Sequence, residues 1–363
     1  MSASVVLLFV LGLVLIVLGA EWLVDGASSI ARKTGVSEFV IGLTIVGFGT
    51  SCPELVVSLT GAIEGNADIS IGNVIGSNIF NTLLILGLTS LISPIAISKS
   101  NKRRDIPVVM LFTLTFILFG LYNQDISRQE GVIFLLLFAA YIVYCFKSDS
   151  VTSDEGAVKQ MSVSKAILLT LLGLGSLIVG GRLFVDNSVL IASSLGVSDK
   201  VIAITLLAGG TSLPELVTCI VAGLKHKNQL ALGNILGSNV FNILLILGCS
   251  ALVTPLSFAS ITWIDLAVLF GSALLIFIFA FTGKRPAAST SPGPKLSLSI
   301  GSDPAPSNSS TSDGPQPALP GSSISDGPQP ALPGSNISGQ LDRWEGGILT
   351  ALWLDYIIWL LVA

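Results

Sequence analysis

A carboxylate inside an apolar run is among the costliest residues that a bilayer-crossing segment can hold, and this chain carries two in the same local setting. Gly49-Thr50-Ser51-Cys52-Pro53-Glu54 returns 161 positions later as Gly210-Thr211-Ser212-Leu213-Pro214-Glu215. Each copy sets a glycine, two hydroxyls, a helix-breaking proline and an acid within hydrophobic sequence. Lipid satisfies none of them, so the fold has to turn both copies inward and supply a neutralising partner. The partner expected is a bound cation, carried across the membrane.

Of 363 residues, 51% are hydrophobic and 11% charged, and the mean hydropathy is +0.84, which excludes a soluble domain. The net charge of -4 is too small to indicate a partner, and no nucleic acid is expected. Cys52, Cys145, Cys219 and Cys249 are scattered through apolar sequence without CxxC spacing. They are expected as small buried hydrophobes, not as a disulfide or metal centre. No lysine or arginine precedes the first apolar run, Ser4 to Val24, so it is expected to remain as a helix and not to be a cleaved leader.

Runs of about twenty apolar residues are long enough to span a bilayer. In order, they predict helices over 4–24, 39–63, 69–92, 106–122, 131–146, 166–193, 200–223, 229–252, 261–282 and 344–363. The fold class expected is an all-α polytopic membrane protein with ten transmembrane helices. Lysine and arginine accumulate on the cytoplasmic side. With both termini outside, fifteen of the eighteen fall in cytoplasmic loops, Arg128 and Lys200 fall outside, and Arg182 lies within a span. That bias sets the orientation, in the plasma membrane, which in bacteria is the inner membrane.

The 161-residue offset extends past the acidic motifs. Between 72–87 and 233–248, twelve of sixteen positions are identical, including Gly76-Ser77-Asn78 against Gly237-Ser238-Asn239 and Phe80-Asn81 against Phe241-Asn242. Five spans per copy is an odd number. The second copy therefore enters from the opposite side, giving inverted repeats, the architecture of alternating access. The boundaries that follow are 1–146 for the first repeat (helices 1–5), 147–162 for a cytoplasmic connection, 163–285 for helices 6–9, 286–339 for a cytoplasmic linker and 340–363 for the tenth helix. The linker holds eleven of the sixteen prolines and repeats the block 313–322 at 326–335. Sequence of that kind cannot bury a core and is expected to be disordered.

Proline removes an N–H and frees the carbonyl four residues back, here those of Gly49 and Gly210. Thr50 and Ser51 precede Glu54 by four and three residues, as Thr211 and Ser212 precede Glu215, which places them on a common helix face. Carboxylate, hydroxyl and carbonyl oxygens are the set that hard cations such as calcium and sodium take. Two further stripes, Asn73, Ser77 and Asn81, and Asn234, Ser238 and Asn242, supply the complementary face. Interhelical hydrogen bonding competes for such groups. Ser77, Asn81, Ser238 and Asn242, nearer the midplane, are the expected ligands, and Asn73, Asn78, Asn234 and Asn239 the expected helix braces.

One divalent ion would neutralise the two acids, and two or more sodium ions at neighbouring positions would do the same. Competition for shared oxygens then yields exchange in place of leak. A proton is a third neutraliser, so acid inhibition is expected and a proton/calcium antiporter is the alternative reading. An enzyme is not expected: no His or Lys base lies within the spans, and neither catalytic residues nor a cofactor are predicted. Asp25 and Asp186, near opposite membrane faces, are expected as interfacial anchors, and His226 as a solvated loop residue.

The motifs Gly-Thr-Ser-x-Pro-Glu and Gly-Ser-Asn-x-Phe-Asn, each present twice, resemble those of the sodium/calcium exchangers of the cation/calcium antiporter superfamily, in their prokaryotic ten-helix form. The resemblance covers the chain except 286–339. It implies that the first and sixth helices form a tilted pair that slides past the other eight. It also implies an ion site at Gly47, Thr50, Ser51, Glu54, Ser77 and Asn81 with Ala208, Thr211, Ser212, Glu215, Ser238 and Asn242. Gly47 and Ala208 would act through backbone carbonyls, and Glu54 and Glu215 would share calcium. Asn242 departs from the pattern, since several relatives carry aspartate there; this leaves two carboxylates and puts potassium co-transport in doubt. Calcium and sodium ions and the lipid bilayer are the partners implied, with one chain as the functional unit.

Overall fold

Hydrophobic length dictates the helices seen in the computed structural model, which describes residues 3–148, 161–197, 202, 208–282 and 337–362. In chain order they are α1 (Ala3–Thr34), α2 (Glu38–Thr50) with α3 (Cys52–Ile63), α4 (Asp68–Ile92), α5 (Asn101–Tyr122), α6 (Arg128–Ser148), α7 (Val163–Ser194), α8 (Leu213–Leu224), α9 (Asn228–Val253), α10 (Trp263–Thr282) and α11 (Arg343–Val362). Among the described residues, eight are long and apolar enough to cross a membrane. α2 and α3 make a ninth span, bent by 48°, and α8 is a shorter apolar helix. The predicted seventh helix, 200–223, lies partly outside the described residues, as do most of the predicted connection and linker.

α1 runs well past its predicted end at residue 24, to Thr34. Apolar sequence stops at Asp25, but the helix continues because its next turns are buried against protein: Gly26, Ala27, Ser28, Ser29 and Ala31 are all buried. At 32 residues, α1 and α7 each measure roughly 48 Å, longer than a hydrocarbon core of about 30 Å. They lie antiparallel. Gly12, Gly19 and Gly26 of α1 recur every seven residues and meet Gly180, Gly173 and Ala166 of α7. A Cβ on Gly12 would stand 2.6 Å from the Phe184 amide nitrogen, so only glycine allows this approach. Close backbone contact is the main attraction available to helices in lipid.

Glycine also seats α9 on α2, where a Cβ at Gly233 or Gly237 would collide with the backbone of Phe39 or Leu43. Other helices start at caps legible in sequence. Ser127 and Glu130 bond reciprocally ahead of α6, and Thr262 and Asp265 ahead of α10.

Two short antiparallel ladders join loops: β1 (Ile95–Ser98) with β4 (Ile337–Leu341), and β2 (Asp125–Ile126) with β3 (Leu256–Ser257). β4 takes in residues 337–339, which were predicted as linker. Its backbone partners are on β1, so its order comes from tertiary pairing. Lys225 Nζ lies 2.7 Å from Asp25 Oδ1, and Lys227 Nζ 2.6 Å from Glu38 Oε1. His226, in the left-handed region at φ 56°, makes the turn that presents both lysines. Each of these contacts links loops or helix ends predicted on the same membrane face.

Candidate cation site

Pro53 and Pro214 sit in the first turns of α3 and α8, where a missing N–H costs little. The chain leaves helical geometry just ahead of them, at Ser51 (φ -84°, ψ 7°) and Ser212 (φ -89°, ψ 7°). The first break is one residue wide: Ser51 N donates to the Gly47 carbonyl and Leu55 N to the Ser51 carbonyl, both at 3.1 Å. Glu54 and Glu215 follow in the first turn of each new helix, where the helix dipole favours negative charge. Both acids are 1% exposed.

The two breaks interlock. Ser51 Oγ donates to Glu215 Oε1 at 2.9 Å, and Ser212 Oγ donates to Glu54 Oε1 at 2.9 Å. Each serine serves the acid of the other copy, so the copies meet at their breaks. Thr211 flanks Glu54, while Thr50 and Ser238 flank Glu215. Behind this layer, Thr50 Oγ1 lies 3.1 Å from Asn234 Oδ1. Asn73 Nδ2 donates to the Glu54 carbonyl at 3.2 Å and to Ser58 Oγ at 2.9 Å. In the second copy Asn234 Nδ2 donates to Cys219 Sγ at 3.2 Å.

Glu54 Oε2, Glu215 Oε2, Ser77 Oγ, Ser238 Oγ, Asn81 Oδ1, Asn242 Oδ1 and Thr211 Oγ1 are all buried and have no well-formed hydrogen bond among the described residues. Buried polar atoms are nearly always paired. Of thirteen such atoms among the described residues, these seven belong to residues predicted from sequence as ligands, and the other six are on Ser28, Thr89, Thr218, Asn239, Ser250 and Glu345. Asn81 and Asn242 lie within short π-helical turns, Phe80–Ile85 and Phe241–Ile246, a distortion common at functional positions. Among the described residues no three His, Cys, Asp or Glu side chains converge, so two acids and neutral oxygens make up the cluster.

The remaining predicted positions sit differently. The Gly47 carbonyl accepts from Ser51 N and lies 3.5 Å from Thr50 Oγ1, and Ala208 opens a single helical turn, Ala208–Gly210, ahead of Ser212. Gly49 packs against Leu174 of α7 and Gly210 against Val185, so each glycine also provides room for that helix. Sequence reading missed Ser58 and Cys219 as braces. They occupy matched positions, but their side chains differ, so a search for identical residues passes over them. A cavity of about 940 Å³ reaches Ser77 and Thr211, and its lining also includes Cys52, Asn73, Asp68 and Asp186.

A family profile described as "Sodium/calcium exchanger protein" matches residues 4–147 and 165–362. The chain belongs to the sodium/calcium exchanger family. Sodium/calcium exchanger MaX1 of Methanosarcina acetivorans is 37% identical over 322 residues, which cover 76% of this chain and 91% of that one. Inner membrane protein YrbG of Escherichia coli is 36% identical over 261 residues, covering 68% of this chain and 79% of that one. A solved structure of the sodium-calcium exchanger NCX_Mj, soaked with 10 mM Na+ and 10 mM Sr2+, matches with a TM-score of 0.75 at 31% identity, covering 99% of each chain. The exchanger family is one of transporters, and this chain is a multi-pass membrane protein with a cation antiporter's fold.

Proposed function

We propose that the chain is a sodium/calcium antiporter of the plasma membrane that works by alternating access, with cations bound at mid-depth between two inverted five-helix repeats. One observation carries this reading: the crossed Ser51–Glu215 and Ser212–Glu54 hydrogen bonds, with the second oxygen of each acid, Thr211 beside Glu54 and Ser238 beside Glu215 left without a well-formed partner among the described residues. An unneutralised carboxylate in such surroundings costs several kcal/mol, and each unmade buried hydrogen bond about 1–3 kcal/mol. Calcium bound by Glu54 and Glu215 would remove the charge cost. Thr50, Ser51, Thr211, Ser212, Ser77, Ser238, Asn81 and Asn242, with the carbonyls of Gly47 and Ala208, offer more than the six to eight oxygens calcium takes.

Sodium ions drawing on the same oxygens cannot bind while calcium holds them. That mutual exclusion couples the two fluxes. MaX1 and NCX_Mj are named sodium/calcium exchangers, which supports sodium as the counter-ion. The orientation proposed has ten spans with both termini outside, the connection at 147–162 and the linker that follows α10 in the cytoplasm, and a single chain as the working unit. The lysine and arginine bias supports it, as does the pairing of loops assigned to a common face.

The test is reconstitution. Vesicles loaded with sodium and diluted into radioactive calcium should accumulate it, and external sodium should abolish the uptake. Uptake driven by a pH gradient and indifferent to sodium would overturn the reading in favour of proton/calcium exchange.

A further inference from the structure

Asn78 and Asn239 occupy matched positions on α4 and α9, yet they make different contacts. On one side a chain of amides has a defined polarity. The backbone carbonyl of Asn239 can only accept, and Asn78 Nδ2 points to it at 3.5 Å. The other end of the Asn78 amide is then its oxygen, which accepts from Asn242 Nδ2 at 3.0 Å. Asn242 is thereby held by its nitrogen. Its Oδ1, buried and without another partner among the described residues, is left free on the helix that also carries Ser238.

The matched relay is broken. Thr82 stands where the second copy has Ile243, and its hydroxyl takes Asn239 Nδ2 at 2.9 Å. Asn239 Oδ1 is left without a hydrogen bond among the described residues, so it does not hold Asn81 as Asn78 holds Asn242.

We propose that Asn78 is a positioning residue, which holds the Asn242 amide so that an oxygen and not an NH2 group faces the bound cation. The inference rests on the cation site proposed above. The two ends of an asparagine side chain are close in shape and opposite in polarity: the carbonyl oxygen coordinates a cation, and the amide hydrogens repel one. Left free, the amide would have to be ordered by each arriving ion, whereas held by Asn78 it is ordered beforehand. An aspartate at 242 would set acceptor against acceptor, and Asn78 would have to reverse and give up the Asn239 carbonyl.

The experiment compares Asn78→Leu, Asn78→Asp, Asn242→Ala, the double variant Asn78→Leu/Asn242→Ala, and Glu54→Gln in sodium-loaded vesicles, with KM and kcat measured for calcium. Asn78→Leu is close in volume and lacks the acceptor. It should raise KM about tenfold while kcat changes less, the worth of one buried hydrogen bond. Asn78→Asp keeps an oxygen towards Asn242 but sets its other oxygen against the Asn239 carbonyl, so it should recover part of the affinity that Asn78→Leu loses. Because Asn78 acts through Asn242, the double variant should be no worse than Asn242→Ala alone.

A wild-type KM in Asn78→Leu overturns the proposal, and so does a Leu effect that persists undiminished beside Asn242→Ala. Should Asn78→Leu fail to fold, Asn78→Ala, which also lacks the acceptor, decides: a raised KM that disappears beside Asn242→Ala supports the relay, and a wild-type KM overturns it. Glu54→Gln separates the two proposals. If it still exchanges, the cation site itself is wrong and this inference falls with it. If it is inactive while Asn78→Leu is wild type, only the positioning role is lost.

Discussion

Replacing Ser212 by alanine deletes a single oxygen, the one that lies 2.9 Å from Glu54 Oε1 in a fully buried position. A hydrogen bond to a charged group contributes about 1.5–3 kcal/mol, or roughly tenfold to a hundredfold in an equilibrium constant. The direction of the effect distinguishes two roles. If the hydroxyl only steadies the carboxylate of the cation-free protein, its loss raises that state in energy and calcium binds more tightly. If the same oxygen turns to the ion as a ligand, its loss falls on the bound state and calcium binds more weakly. The proposed site requires the second outcome, with the calcium KM raised about tenfold or more in sodium-loaded vesicles. Ser51→Ala, which removes the matching 2.9 Å contact to Glu215, should behave alike. An unchanged or lowered KM in either variant would refute the assignment of these serines as ligands, since nothing else differs between the proteins.

Glu54→Gln and Glu215→Gln should each abolish calcium exchange in folded protein, and transport retained by either removes the acid pair as the shared calcium site. Cys52 and Cys249 are half-buried, of which Cys52 lines the cavity, whereas Cys145 and Cys219 are buried. In a Cys249→Ala background a charged thiol reagent should therefore inhibit exchange, calcium should protect, and adding Cys52→Ala should give resistance; equal sensitivity with and without Cys52 would show that the cavity is not the access route. Exchanging residues 286–336 for a short Gly-Ser linker should leave calcium uptake intact, and lost uptake would give that segment a function. Asn242→Asp should alter cation preference, measured by competition with sodium and potassium, while an unchanged profile would mean the side chain does not face the ions.

The spans were legible because hydrophobic length is a property of residue order alone. Their ends were not, since apolar sequence stops at Asp25 while α1 runs on to Thr34, its extra turns buried against the rest of the protein. β4 was hidden for a related reason: Ile337–Leu341 form a strand only because β1 is there to pair with them. At the site, duplication made the candidate oxygens stand out, as each occurs twice with the same spacing. Repetition could not show which partner each copy takes. Ser58 and Cys219 do the same work with different atoms, holding an asparagine amide at 2.9 and 3.2 Å. Asn78 and Asn239 are identical residues whose contacts diverge, and one hydroxyl, that of Thr82, redirects the amide chain.

Those departures matter more to a carrier than the identities do. Under the inverted-repeat reading, two chemically equal halves would make the outward-open and inward-open states mirror images of equal energy, and any bias between them has to come from positions where the copies differ. Lys225 is such a position. It pairs with Asp25 at 2.7 Å, while the residues matched to those two in the other copy are Glu64 and Asp186, both acidic. The mirrored arrangement therefore sets like charges where this one sets opposite charges. With Lys225 and Asp25 one third and one half exposed, the attraction is worth no more than about 1 kcal/mol after screening. A preference between access states of a few-fold needs no more than that, so under this reading the mismatches between the copies, Lys225–Asp25 among them, are where such a preference would be set.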